Sequence, residues 1–277
     1  MRPLLLLLAA VFTLSAQSPD PYAIVRRAVE LDLETPQFPS DFAFDKRVAM
    51  TTLDKKGQPA QTRITGSEVM MLLGQPVERI LERDGEPLPA PQAAKEQAEF
   101  DRTFQQASRL TEPQRQARTR SAETKDRKRR EFLRALPDVY DLKLAGTETI
   151  DGRPAYRIDA QPRKGAKLPG MGPKRTFFKL YGSLWIDVET NQWVKVDTVV
   201  NDTLSWGLFL ARIQPGSRIT FERRLLGDTW VSTRIGGRFV ARFFGFKGFA
   251  LEQETTFSNY HRFRSSSRIE SVQELEP

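Results

Sequence analysis

Few side chains in this 277-residue sequence have the types and spacing that catalysis needs. His261 is the only histidine and cysteine is absent, which excludes thiol nucleophiles and cysteine metal sites. A Ser-His-Asp site would need His261 beside a serine and an acid, and the sequence has no G-x-S-x-G elbow. A metal site at His261 could recruit only carboxylates as further ligands. We therefore interpret His261 as a strand residue and predict no catalytic residue, no metal site and no cofactor.

Carboxylates are the remaining candidates for acid or base chemistry. Asp187 could be a catalytic acid, but its place in a hairpin motif favours a turn or cross-strand role. The 35 acidic residues leave a carboxylate-pair hydrolase open, because such a pair is defined by distance in three dimensions. No spacing in the sequence recommends one.

Residues 1–16 have the three-part pattern of a secretory signal. Met1-Arg2 is a short basic start, Leu4–Leu14 is an apolar run, and Ser15-Ala16 supplies small residues before Gln17. The run is shorter than the roughly 20 residues of a transmembrane helix. We predict cleavage after Ala16 and a soluble, exported mature protein.

The charge balance bears on the partners of such an exported chain. The sequence carries 43 Lys and Arg against 35 Asp and Glu, a net charge of +8. Behind a signal peptide, anionic membrane surfaces, acidic lipids or envelope proteins are the expected partners. No nucleic-acid motif is present, so we predict no nucleic-acid partner.

The clearest strand pattern is a hairpin over Leu180–Val200. Alternation in its first strand puts Leu184, Ile186 and Val188 on one face, and Trp185 and Asp187 on the other. In the second strand, Trp193–Val200, it puts four residues on one face: Val194, Val196, Thr198 and Val200.

The rest of the mature chain is mostly strands with hairpin connections. A short amphipathic helix is predicted over Pro21–Leu33, and Gly236-Gly237 is expected to break or bend a strand. With about 10–12 strands in all, the pattern argues against parallel βαβ architecture. It fits an α+β domain over 17–264: one strongly curved antiparallel sheet with helices on one face, followed by a polar, frayed tail over 265–277.

A charged helical insertion interrupts the strands at about 90–136, between Pro89 and Pro137. It is rich in Ala, Gln, Glu, Lys and Arg, which favour helix. Nine Lys or Arg lie between Arg115 and Arg134. The insertion is either a solvated lid or a basic arm that binds a membrane or an acidic partner.

Two short motifs carry a resemblance to a known family. They are Asp151-Gly152-x-x-Ala155-Tyr156-x-Ile158, and Gly182-Ser183-Leu184-Trp185-Ile186-Asp187 followed by Thr190-x-x-x-Val194. In these motifs and in the order of its elements, the chain resembles the bacterial outer-membrane lipoprotein-sorting (LolA/LolB-like) superfamily. The resemblance implies a periplasmic, unclosed antiparallel β-barrel whose concave apolar face is covered by helices. It also implies a non-enzymatic protein that shields lipoprotein acyl chains or lipids.

This resemblance sets the site expectations and the alternatives. A carrier would line its cavity with aromatic residues, for which the candidates are Trp185, Trp206, Phe209, Phe239, Phe243 and Phe244. The alternative role is a periplasmic regulator or sensor of the same fold. It would dock on a membrane-protein partner through the basic helix, at Arg127, Lys128, Arg129 and Arg130. An envelope hydrolase is the third reading. The aromatic residues could also be ordinary sheet core.

Overall fold

The computed structural model describes residues 18–34, 42–54, 56–72, 75–165, 180–206, 211–243, 249–262 and 273–274. The predicted signal segment, residues 1–16, lies outside this part of the chain. So do Phe209 and Phe244. Inside strands, the side chains of Trp206 and Phe243 are also outside it.

Three helices and fourteen strands are present in the described residues. The helices are α1 Pro21–Glu34, α2 Ala90–Ser108 and α3 Glu112–Val139. The strands are β1 Phe42–Leu53, β2 Pro59–Leu72, β3 Gln75–Arg83, β4 Glu86–Pro87, β5 Tyr140–Ile150, β6 Arg153–Pro162, β7 Leu180–Asp187, β8 Trp193–Val200, β9 Leu204–Trp206, β10 Ala211–Ile213, β11 Arg218–Leu226, β12 Thr229–Phe243, β13 Phe249–Arg262 and β14 Gln273–Glu274.

All strands belong to one antiparallel sheet. Its main path has eleven strands in the order β4-β3-β2-β1-β13-β12-β11-β8-β7-β6-β5, with β9, β10 and β14 attached beside it. The end strands β4 and β5 do not pair with each other, so the described sheet is not closed. The predicted single antiparallel, unclosed α+β architecture is confirmed at this level.

The register of the strand pairs shows which residues lie on each of the two faces of the sheet. The helix-bearing face is the one against which α1 packs, because α1 shares a core cluster with Ile158, Leu184 and Val196. Two rows of paired residues cross the sheet on this face. The first is Ile158, Leu184, Val196, Phe221, Ile235, Thr255, Val48, Thr65 and Arg83; the second is Ala160, Gly182, Thr198, Ile219, Gly237, Gln253, Met50 and Arg63.

The opposite face, here the polar face, carries several ion pairs. Lys195 Nζ lies 3.1 Å from Glu222, and Arg234 lies 2.7 Å from Glu254. Arg218 donates to Asp197 from Nε at 2.7 Å. Charged side chains on alternate positions are typical of a sheet face in water.

The two helical regions lie at opposite ends of the sheet. The C-terminal turns of α3 join α1 in the core cluster over β5–β8, through Leu133, Leu136 and Val139. At the other end α2 contacts β3, where Arg83 pairs with Glu96 at 3.3 Å. The helices α2 and α3 thus connect the strands at the two ends of the sheet. Of the described helices, none is long and apolar enough to cross a membrane.

The hairpin over Leu180–Val200 is confirmed, with two corrections nearby. A β-bulge at Trp185/Ile186 puts Val194 in a different cluster from Val196, so the two do not share a face as expected. The extra residue of a bulge reverses the alternation. Of the two effects expected at Gly236-Gly237, the break is wrong, because β12 continues to Phe243 with both glycines paired on each side, and the bend stays a prediction.

The polar tail also departs from the expectation of a frayed end. Its residues 273–274 form β14, which pairs with β13 at His261 and Arg262. Period-2 patterning could not have found a strand of two residues.

Candidate functional site

A strip of incompletely buried apolar side chains crosses the middle of the helix-bearing face. We define the apolar strip as Val48, Met50, Ile219, Phe221, Phe239 and Leu251. Register places them on one face of β11, β12, β13 and β1. All but one are half-buried, and Met50 is 42% exposed. The strands of the strip also carry a second core cluster, built on Phe42, Phe44 and Phe257, whereas the α1 cluster lies over β5–β8.

Two glycines form the floor beside this strip. A Cβ at Gly237 would lie 2.7 Å from Cζ of Phe239 and would collide with the backbone carbonyl of Arg218. The Phe239 ring therefore lies close over Gly237, which is possible only without a side chain there. A Cβ at Gly182 would collide with the backbone of Asp197 and Thr198. Both positions therefore require glycine for close packing of the sheet.

The helix α1 is attached to the sheet at both ends. Near its start, the Tyr22 hydroxyl accepts from the backbone N–H of Leu142 on β5 at 3.3 Å. Near its end, Asp32 lies 3.5 Å from the guanidinium of Arg223 on β11. From β5 to β11 is four strand spacings, about 19 Å, so α1 runs across the strands and ends beside the apolar strip.

Trp185 lies on the other side of the sheet from this strip. It belongs to a small cluster with Ala155, Val194 and Trp230, whereas its neighbour Ile186 packs toward α1. Its indole N–H donates to Glu148 at 2.7 Å, and the cations of Arg157 and Lys195 approach its ring at 5.8 and 5.5 Å. Alternation in β7 requires this placement once Leu184 faces α1.

Of the other aromatic candidates, the structure describes Phe239 and the backbones of Trp206 and Phe243. Phe239 is part of the apolar strip. The backbone of Trp206 pairs with Ala211, and Ala211 pairs with Phe243, so β9, β10 and β12 bring those two positions to one level of the sheet. Phe209 and Phe244 lie outside the described residues.

Asp187 has a structural role within the family-like motif. Its carboxylate accepts from Arg153 at 2.8 and 3.0 Å and from Thr190 at 2.7 and 2.8 Å, and the side chain has no exposed surface. Burial alone would raise the pKa of Asp187, but the hydrogen bonds from Arg153 and Thr190 outweigh it and lower that pKa. An acid held ionised by these donors is not suited to proton donation near neutral pH.

The basic helix residues lie in the second half of α3, immediately before the turns that join the α1 cluster. Arg127 is exposed. Arg130 is half-buried and takes part in a polar, ring or electrostatic interaction. The side chains of Lys128 and Arg129 are outside the described set. No cluster of three or more potential metal ligands occurs among the described residues.

The sequence interpretation missed most of the apolar strip. It favoured tryptophans and runs of phenylalanine, whereas Val48, Met50 and Leu251 come from strands distant in sequence. The signal that could have found them is the alternation of β1 and β13, but the face that meets a helix depends on long-range pairing.

Comparison with known proteins returned solved structures only. No protein-family model and no curated protein matches the sequence. A LolA superfamily protein from Nitrosomonas europaea is 14% identical, with 90% of this chain and 96% of that chain covered and a TM-score of 0.32. A putative outer-membrane lipoprotein-sorting protein domain from Vibrio parahaemolyticus is 10% identical, with coverage of 87% and 93% and a TM-score of 0.34.

A third similar structure is that of a complex. MucB bound to MucA, from Pseudomonas aeruginosa, is 13% identical, with 94% of this chain and 100% of that chain covered and a TM-score of 0.23. The family that the sequence motifs resemble is thus found again among solved structures. At these identities and TM-scores the likeness assigns no residue role or function to this chain.

Proposed function

We propose that this protein is a non-enzymatic periplasmic binder or carrier of acyl chains, which it takes from lipoproteins or lipids during outer-membrane lipoprotein sorting. The observation that carries the proposal is the difference between the two faces of the sheet. One face has half-exposed apolar side chains in rows, and the other has paired charges.

The free energy of acyl-chain transfer provides the driving force. Removing a chain from water gains about 0.8 kcal/mol per buried CH₂. The apolar rows extend over the five strands from β8 to β1, a width of about 19 Å. One leaflet of a membrane is about half of a roughly 30 Å hydrocarbon core, so this width suits a single acyl chain.

The helices are proposed to cover the concave side of the sheet. In support, α1 ends beside the apolar strip, where Asp32 meets Arg223. The segment formed by α2 and α3 also joins the two unpaired ends of the sheet, at β4 and β5. Helices in this position would exclude water from a chain bound along the strip.

Export is the second part of the proposal, and it rests on the sequence. Residues 1–16 have the pattern of a signal peptide, and the two motifs at Asp151–Ile158 and Gly182–Val194 resemble a periplasmic family. A protein that carries acyl chains between membranes would have to be in this compartment.

Displacement of a fluorescent fatty acid tests the proposal. The variant Phe221→Ser removes an aromatic ring from the strip, while Tyr181→Ser removes a 41%-exposed ring from the polar face. We expect dodecanoate to bind the unchanged chain, to bind Phe221→Ser about tenfold more weakly, and to bind Tyr181→Ser equally well. No binding to the unchanged chain, or equal loss in both variants, would contradict the proposal. Mass spectrometry of protein purified from a membrane-containing host should also detect copurified lipid.

A regulator of the same fold is the second candidate, and the construction of α3 favours it. Among the described side chains of α3, those that join the core cluster lie in its last turns and include Leu133, Leu136 and Val139. The basic run that includes the exposed Arg127 comes immediately before these turns. Such a segment could dock on an acidic region of a membrane-protein partner without disturbing the sheet.

A further inference from the structure

The charges on the helix-bearing face are distributed unevenly. The two rows that cross this face contain two charged residues, Arg63 and Arg83, and no carboxylate. Both arginines lie at the β2–β3 end, after the apolar part of the face. Arg83 is already paired with Glu96 of α2 at 3.3 Å.

Arg63 is the cation left over at this end. It is exposed, and it has no ion-pair or hydrogen-bond partner for its side chain among the described residues. Its cross-strand partner on β1 is Met50, the most exposed member of the apolar strip. The strip therefore ends directly at a guanidinium that no described side chain pairs with.

We propose that the ligand of the apolar strip is an anionic amphiphile, whose acyl chain lies along the strip and whose charged head group is bound by Arg63. This inference rests on the acyl-chain function proposed above. A guanidinium recognises carboxylate and phosphate alike, with two parallel N–H donors. No acid in the two rows opposes such a head group, whereas the polar face carries Asp197, Glu222 and Glu254 close to the corresponding cations.

The size of the effect follows from the exposure of Arg63. An ion pair in contact with water contributes little, and one next to an apolar chain contributes more because water is partly excluded. We expect dodecanoate to bind about three- to tenfold more tightly than dodecanol at low ionic strength. We also expect salt to reduce this preference.

The test compares these two ligands by competition against a fluorescent fatty acid, in the full chain and in three variants. Arg63→Gln should equalise dodecanoate and dodecanol by weakening dodecanoate alone, and Arg63→Lys should retain part of the preference. Arg224→Gln removes an exposed arginine on β11 that also lacks a partner among the described residues, and should change nothing. Inorganic phosphate should not displace dodecanoate, because the chain supplies most of the affinity.

The outcomes separate this inference from the proposed function. If both ligands bind the unchanged chain equally, or if Arg63→Gln retains the preference, the head-group site is wrong and the acyl-chain function stands. If phosphate displaces dodecanoate, Arg63 belongs to a plain anion site and the inference is also overturned. If neither ligand binds, the proposed function fails and the inference fails with it.

Discussion

Asp32 on α1 and Arg223 on β11 form an ion pair that joins the helix to the sheet. The carboxylate lies 3.5 Å from Nη1, and the arginine side chain is only 4% exposed. The same guanidinium donates to the backbone carbonyl of Trp230 at 3.1 Å and to Gln192 at 3.4 Å. The end of α1 nearest the apolar strip is therefore held by a buried charge rather than by apolar packing alone.

Asp32→Asn tests the importance of this ion pair. Because Arg223 would keep its charge while losing its carboxylate partner, we expect the free energy of unfolding to fall by about 2–3 kcal/mol. Hydrogen exchange of the last turn of α1 should accelerate as well. Glu30→Gln is the matched control, since Glu30 is 64% exposed and its ion pair is with Arg27 of the same helix. It should cost less than about 0.5 kcal/mol, and equal effects in urea denaturation would show that burial of Arg223 is irrelevant.

The stability of the hairpin that contains Asp187 should depend on pH. The pKa of Asp187 is lowered in the folded protein by Arg153 and Thr190, despite its burial. A lowered pKa stabilises the fold above the unfolded-state pKa of about 3.9, and this contribution is lost as the pH falls through the lower folded value. Asp187→Asn should therefore be about 2 kcal/mol less stable than the unchanged chain above pH 5. The difference should shrink below about pH 4. A difference that is constant from pH 7 to pH 3 in urea titrations would refute this account.

A structural feature of this protein is predictable from its sequence when the residues that determine it are close together in the chain. The alternation around Leu184–Asp187 depends on neighbouring residues and appears as expected. The Asp84-Gly85 turn is equally local, with Asp84 at φ 51° and Gly85 at φ 89°. Two other features depend on residues that are farther apart in the chain. They are the bulge that moves Val194 to the opposite face, and the pairing of β1 with β13. The same limit applies to the candidate site. Trp185 is of a residue type that often lines a cavity. Which side of the sheet it faces relative to the helix, however, depends on where α1 packs.

Gly237→Ala tests the contact between the floor of the strip and Phe239. The added methyl group would meet both the Phe239 ring and the carbonyl of Arg218, which should lower the free energy of unfolding by about 1–3 kcal/mol. It should also displace the ring and weaken acyl-chain binding. Gly236→Ala is the control, since its Cβ would lie 3.1 Å from Thr220 Oγ1 and 3.3 Å from the Gln253 carbonyl. Chemical denaturation that ranks Gly236→Ala as equally harmful would contradict the proposed packing.

Replacing the basic run of α3 distinguishes the carrier from the regulator. The variant with Gln at Arg127, Lys128, Arg129 and Arg130 should leave dodecanoate affinity within twofold, because none of these residues belongs to the apolar strip. If the basic helix recognises an anionic surface, cosedimentation with vesicles containing phosphatidylglycerol should fall sharply, and 0.5 M salt should reproduce the loss in the unchanged chain. Unchanged cosedimentation would exclude this run as the docking site, and a loss of dodecanoate affinity would place it in the carrier function instead.

The most direct test of the central claim is the position of a bound acyl chain. Nuclear Overhauser effects between dodecanoate and the isoleucine methyl groups report contacts over short distances only. We predict effects at Ile219 and Ile235 on the helix-bearing face, and none at Ile64, whose pairing with Ala49 places it on the polar face. Effects at Ile64 alone, or no effects at any of the three while dodecanoate is bound, would contradict binding along the apolar strip.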